Sequence, residues 1–161
     1  MRNPNELFSK LIQVGMLTDD LDKTLANLES TLGIGPFRIA VYPPVDEVDC
    51  ERFYRGVPAD FKGKFCFFNF GNIEFEVIQP LGGKNIWSEF LEKNGGPGLH
   101  HLKYLVDSHD EVREHFEKLG ITEIQSGASV GANKGRSWSY YDTYDALGFY
   151  TEVMNELKKG E

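Results

Sequence analysis

Gly95-Gly96-Pro97-Gly98-Leu99-His100-His101-Leu102-Lys103-Tyr104-Leu105-Val106-Asp107-Ser108 runs from a glycine turn through an apolar strand to the start of a helix. Side chains alternate across a strand, so the two histidines face opposite ways. Leu99, His101, Lys103 and Leu105 fall on one face, and His100, Leu102, Tyr104 and Val106 on the other. The second set reads as a packing face, with His100 turned outward or toward a helix. His101, beside Lys103, is then the imidazole that looks into a partly polar space. Ser108-His109-Asp110-Glu111 follows as a capping box. Val112, His115, Phe116 and Leu119 make a helical stripe that stops at Gly120.

The first half of the chain repeats this plan. Leu11 to Leu17 reads as a strand, and Thr18-Asp19-Asp20 offers N-cap oxygens. Leu21, Leu25, Leu28 and Leu32 then recur at helical spacing up to Gly33-Ile34-Gly35-Pro36. Three strands complete each half. The first half has Phe37 to Tyr42, Lys64 to Phe70 and Asn72 to Gln79; the second has Ile121 to Gln125, Gly135 to Asp142 and Gly148 to Met154. Strand, helix and three strands, twice over, is an internal duplication. The fold class expected is α+β: one domain over 1–161, with βαβββ modules at 11–80 and 99–155. A linker at 81–98 carries a short helix near Ile86 to Lys93. The two modules form a curved mixed sheet around one cup-shaped site, with helices outside. The stretch from Pro43 to Gly63 reads as an irregular binding loop or lid.

Composition narrows the partners. Seventeen basic against 25 acidic residues give a net charge of −8, which disfavours nucleic acid and anionic membranes. No apolar run approaches the ~18–20 residues of a membrane span, and Met1 to Glu6 lacks the apolar core of a signal peptide. Cys50 and Cys66 have no zinc-motif spacing and read as free thiols of a cytoplasmic protein.

Aligning the halves pairs Gln13 with His101 and Glu76 with Glu152. Two modules related by a pseudo-two-fold would bring these four into one cup. One imidazole, two carboxylates and a carboxamide oxygen suit a divalent ion such as Co, Ni, Zn or Mn. Glu152 stands out, because a carboxylate in the apolar run Tyr150 to Met154 is costly unless paired or coordinated. Lys103, Arg136 and Lys134 are candidates for an anionic substrate group, and Trp138, Tyr140 and Tyr141 for the cup wall.

The doubled pattern from about Leu11 to Asn155 resembles the vicinal oxygen chelate superfamily, which includes glyoxalase I, methylmalonyl-CoA epimerases, bleomycin-resistance proteins and extradiol dioxygenases. Glu76-Val77-Ile78-Gln79-Pro80-Leu81, a short helix, then Gly98-Leu99-His100-His101 is similar to the corresponding run of methylmalonyl-CoA epimerases. Those epimerases usually carry histidine at the Gln13 position and glutamine at the Glu76 position. The set Gln-Glu-His-Glu is instead similar to that of human-type glyoxalase I. The resemblance implies metal ligands at Gln13, Glu76, His101 and Glu152, with Glu152 as the base and Glu76 as ligand or second base. It implies a small-molecule substrate, an acyl-CoA or the thiol adduct of a ketoaldehyde, and a homodimer. Three functions are expected from it. They are a metal-dependent isomerase or epimerase acting alpha to a carbonyl or thioester, a glyoxalase I-type lyase, and a non-catalytic small-molecule binder.

Overall fold

The computed structural model describes residues 3–157. After a short helix, α1 (Pro4–Leu7), the first module supplies β1 (Leu11–Leu17), α2 (Leu21–Leu32), β2 (Arg38–Tyr42), β5 (Lys62–Phe70) and β6 (Ile73–Gly82). Between β2 and β5 lie β3 (Arg52–Tyr54) and β4 (Val57–Pro58). The helix α3 (Ile86–Asn94) leads into the second module. That module holds β7 (Gly98–Val106), α4 (His109–Lys118), β8 (Glu123–Ala128), β9 (Ser137–Tyr141), the short α5 (Tyr144–Leu147) and β10 (Tyr150–Asn155).

All ten strands form one sheet in the order β2-β5-β6-β1-β7-β10-β9-β8-β3-β4. β1 lies parallel to β6, β7 lies parallel to β10, and β1 and β7 meet antiparallel at the centre. The two modules are thus related by a pseudo-two-fold between β1 and β7. The observed architecture is the expected α+β sheet, curled into a half-barrel.

Helix α2 starts at Asp20, whose side chain accepts from the Lys23 amide, and ends at Gly33 in the left-handed conformation. Its Leu21 and Leu25 pack on Cys66, Phe68 and Val77, the outer face of β5 and β6. In the second module Val112 and Phe116 of α4 pack on Val106, Tyr141 and Val153. Helix α3 is placed differently. Its Ile86, Trp87 and Phe90 join one core cluster with Leu17, Phe61, Phe65, Ile78, Trp138 and Tyr140, of which Phe65, Trp87, Trp138 and Tyr140 line the cup.

The stretch from Pro43 to Gly63 departs from the irregular lid expected. Arg55 (φ 50°) and Gly56 (φ 76°) turn a hairpin between β3 and β4, as two consecutive positive φ values do in a type I′ turn. β3 then pairs with β8 of the other module, Tyr54 opposite Gln125. Tyr54 and Arg55 also bind the Glu89 carboxylate of α3, Arg55 Nη2 to Oε2 at 2.9 Å. Polar contacts close the ends of the half-barrel toward each other. Tyr42 Oη donates to Ala128 O at 2.9 Å, and Glu47 accepts from the Gly131 amide at 3.0 Å and pairs with Lys134 at 2.9 Å. Both cysteines are free thiols, Cys66 buried beneath α2 and Cys50 half-buried.

Candidate metal centre and cup

Strand register builds the site as two rows across the middle of the sheet. Glu74, Gln13, Lys103, Glu152 and Tyr140 lie side by side on β6, β1, β7, β10 and β9. The next row holds Phe67, Glu76, Gly15, His101 and Tyr150. The pseudo-two-fold exchanges Gln13 with His101 and Glu76 with Glu152, so the ligand types sit diagonally about the axis. Gly15 leaves the space that the His101 ring fills: a Cβ there would stand 1.9 Å from Cε1 and 2.1 Å from Nε2.

Gln13, Glu76, His101 and Glu152 are all buried. His101 Nε2 lies 3.4 Å from Gln13 Oε1, 3.2 Å from Glu76 Oε2 and 3.1 Å from Glu152 Oε2. Donor atoms of Glu76, His101 and Glu152 fall within 4.8 Å of one another. Ligands about 2.1 Å from a divalent ion stand about 3.0 Å apart at right angles and about 3.4 Å apart in a tetrahedron. The donor set fits such an ion. A second observation agrees with it: Glu152 Oε2 is buried and receives no hydrogen bond of good geometry.

Neighbours orient the ligands. Gln13 Nε2 donates to Glu74 Oε1 at 2.7 Å, which turns the carboxamide oxygen toward His101. Lys103 Nζ lies 3.3 Å from Glu152 Oε1, leaving Oε2 to face the imidazole. Burial favours the neutral form of each group, and neighbours of opposite charge oppose it. For His101 burial disfavours the imidazolium, yet the Glu152 and Glu76 carboxylates outweigh it and push the ring up to about 9. For Glu152 burial is likewise overcome, by Lys103 and His101, and its carboxyl is held below the usual value. Glu76 has weaker compensation, so burial raises it despite His101 and Lys103. Lys103 keeps its proton more firmly than usual, because Glu152 and Glu76 outweigh its burial.

The cup above the site has a volume of about 450 Å³, walled by Phe65, Phe67, Trp87, Trp138, Tyr140 and Met154. Its polar lining includes Gln13, Glu74, Glu76, Glu152, Lys103 and the rim residue Arg38. Not every sequence candidate belongs to it. Arg136 and Lys134 stand outside the lining, Arg136 Nη1 donating to Asn133 and Lys134 bound to Glu47. Tyr141 faces α4 instead, 4.6 Å from the Phe116 ring. His100 does pack on a helix, edge-on to Phe90 at 5.0 Å, but the simple alternation of faces fails there. The β1–β7 register shifts between Gly15–His101 and Met16–Leu99, a bulge at His100. Both imidazoles are therefore buried and in contact. Gly15 and His100 are the residues that reading the chain by periodicity overlooks. The signal for Gly15 was a glycine inside an otherwise apolar strand.

A family profile described as the glyoxalase/bleomycin resistance protein/dioxygenase superfamily matches residues 12–140. The ethylmalonyl-CoA/methylmalonyl-CoA epimerase of Cereibacter sphaeroides is 29% identical over 128 residues, 79% of this chain and 84% of that protein. The crystal structure of methylmalonyl-CoA epimerase from Mycobacterium tuberculosis superimposes with a TM-score of 0.61 at 19% identity, covering 99% of this chain and 95% of that one. A Streptomyces coelicolor methylmalonyl-CoA epimerase variant in complex with 2-nitronate-propionyl-CoA has a TM-score of 0.60 at 17% identity, covering 94% and 99%.

Proposed function

Since the chain belongs to the glyoxalase/bleomycin resistance protein/dioxygenase superfamily, we propose that it is a metal-dependent epimerase. It would move a proton on the carbon alpha to the thioester carbonyl of an acyl-CoA. The observation that carries this reading is the buried convergence of Glu76, His101 and Glu152 with Gln13 beneath an open, aromatic-walled cup. The epimerase relative supports the substrate class. Gln13, Glu76, His101 and Glu152 would hold a divalent ion, which would supply Lewis-acid stabilisation of the oxyanion formed on proton removal.

The chain's own groups do the rest. Glu152 accepts the alpha proton: Lys103 anchors its Oε1, while Oε2, beside the His101 imidazole, receives no hydrogen bond of good geometry. Glu76 approaches from the opposite module and returns a proton to the other face, as two carboxylates flanking one carbon permit. The Lys103 ammonium, part of the cup lining, attracts an anionic group on the reacting end of the substrate. Tyr140, edge-on to His101 at 5.1 Å, and the indoles of Trp87 and Trp138 keep bulk water from the carbanion.

The test is to load the purified chain with Co²⁺, Ni²⁺, Zn²⁺ or Mn²⁺ in turn and incubate it with methylmalonyl-CoA in deuterium oxide. Mass spectrometry then follows deuterium entering the alpha position. Exchange above the metal-free control is expected. No exchange with any metal would overturn the proposal. The identity of the ligand set favours a second reading, a glyoxalase I-type lyase. Turnover of the glutathione hemithioacetal of methylglyoxal, without exchange into the acyl-CoA, would establish that one. A cytoplasmic homodimer completes the proposal. Its support is the pair of free thiols and the open edge strand β2, which exposes Ile39 and Val41.

A further inference from the structure

Behind the ligand set two imidazoles meet: His100 Nδ1 lies 2.9 Å from His101 Nδ1. The β-bulge brings them together, leaving His100 without a partner on β1 and turning its ring to its neighbour's. Both rings rest against Tyr140, at 5.7 Å and 5.1 Å between centroids.

Two ring nitrogens at this separation share one hydrogen bond, with one donating and the other accepting. The far nitrogen of His101, Nε2, faces the oxygens of Gln13, Glu76 and Glu152. An imidazole that offers a lone pair from Nε2 carries its proton on Nδ1. We propose that His100 is a positioning residue: it accepts the hydrogen bond from His101 Nδ1–H and so fixes the tautomer whose Nε2 is open to a cation.

The surroundings of His100 match this role. Its ring is fully buried, edge-on to Phe90 at 5.0 Å and 4.6 Å from the ring of Tyr150, so it has little freedom to turn away. Its Nε2 has no hydrogen-bond partner, which leaves His101 as its polar contact among the described residues. A metal-bound histidine usually donates its second N–H to a carboxylate, a carbonyl or water. A neutral imidazole in that place orients the ligand without adding a further negative charge to a site that already holds Glu76 and Glu152. The purpose of the device rests on the metal reading above; the contact itself does not.

Two measurements test it. In the ¹⁵N-labelled protein, a through-hydrogen-bond ¹⁵N–¹⁵N coupling is expected between the two Nδ1 atoms, with the proton covalently on His101, in both the metal-free and Zn²⁺-loaded states. Absence of the coupling, or a proton residing on His100, would overturn the assignment. Separately, Zn²⁺ affinity by chelator competition should fall about 10–100-fold in His100→Phe, the usual effect of losing such a partner. It should stay close to that of the unmutated chain in His100→Asn, whose Oδ1 can take the place of Nδ1. An unchanged affinity in His100→Phe, or equal losses in both variants, means that the ring only fills space. If the unmutated chain takes up none of Co²⁺, Ni²⁺, Zn²⁺ and Mn²⁺, the metal reading fails, and the coupling alone decides the role of His100.

Discussion

Gly15 has no side chain, and the site depends on that. Alanine there would thrust a methyl into the His101 ring, so Gly15→Ala should cost about 1–3 kcal/mol of stability, the usual scale of overpacking. It should also weaken metal uptake, since the ring must leave its place between Glu76 and Glu152; thermal unfolding and chelator competition on one sample measure both. A variant that keeps full stability and affinity would mean that the ring has room to move. Glu152→Gln separates ligand from base. A carboxamide keeps an oxygen for the ion but cannot take a proton as a carboxylate does. Alpha-proton exchange should therefore fall about 10²–10⁴-fold at full metal occupancy. A loss that excess metal reverses would reduce Glu152 to a ligand. At this scale the sequence is readable wherever symmetry speaks. Gln13, Glu76, His101 and Glu152 come from pairing the halves, and the same two-fold brings them together in space. Arg136 is a candidate by its charge alone, which carries no direction, and it turns back onto Asn133 outside the cup. His100 escapes because a bulge adds one residue to one strand and breaks the alternation without marking the sequence.

The elements were easier to read than the connection between them. The strand and helix starts around Asp20 and Ser108 follow from local capping and periodicity, and they recur where expected. The long connection looked irregular because its hairpin has only two short strands. The Arg55-Gly56 turn between Tyr54 and Val57 was its one local mark, and its partner β8 is distant in the chain. Glu47 pins this connection to the β8–β9 loop. The Lys134 ammonium, then the Gly131 amide, hold its carboxyl below the ordinary value of 4.5. A carboxyl depressed in the folded state stabilises above its unfolded value, and that contribution is lost as pH falls through the folded value. The clasp should hold at neutral pH and open only in acid below 4.5. A ¹³C carboxyl titration of Glu47 with a midpoint at or above the ordinary value would refute it. Tyr42→Phe removes the hydroxyl that reaches Ala128. It should cost about 1 kcal/mol in denaturant unfolding, the net worth of one such hydrogen bond.

For the molecule as a whole, the burial of four ligand-type side chains beneath the cup should make folding sensitive to metal. An ion that binds the folded chain alone, at about 100 times its Kd, adds about 2.7 kcal/mol of stability. In a chain of this size that raises the Tm by roughly 5–10 °C. Calorimetry with Co²⁺, Ni²⁺, Zn²⁺ or Mn²⁺ in turn and with excess chelator checks it, and transitions coincident with the chelated sample for all four would show that the donor set binds none of them. The doubled module and the overall class are legible because a duplicated βαβββ unit leaves few ways to bury two apolar faces. What no single half discloses is that the first module's insertion completes the second module's edge. That pairing has a consequence for synthesis. Tyr54 leaves the ribosome seventy-one residues before Gln125, its partner across β3 and β8. At about 5–20 residues per second, the nascent hairpin waits roughly 4–14 s with one edge open. The Arg52 and Arg55 charges, and the proline that ends β4, guard it over that interval against the edges of other newly made chains.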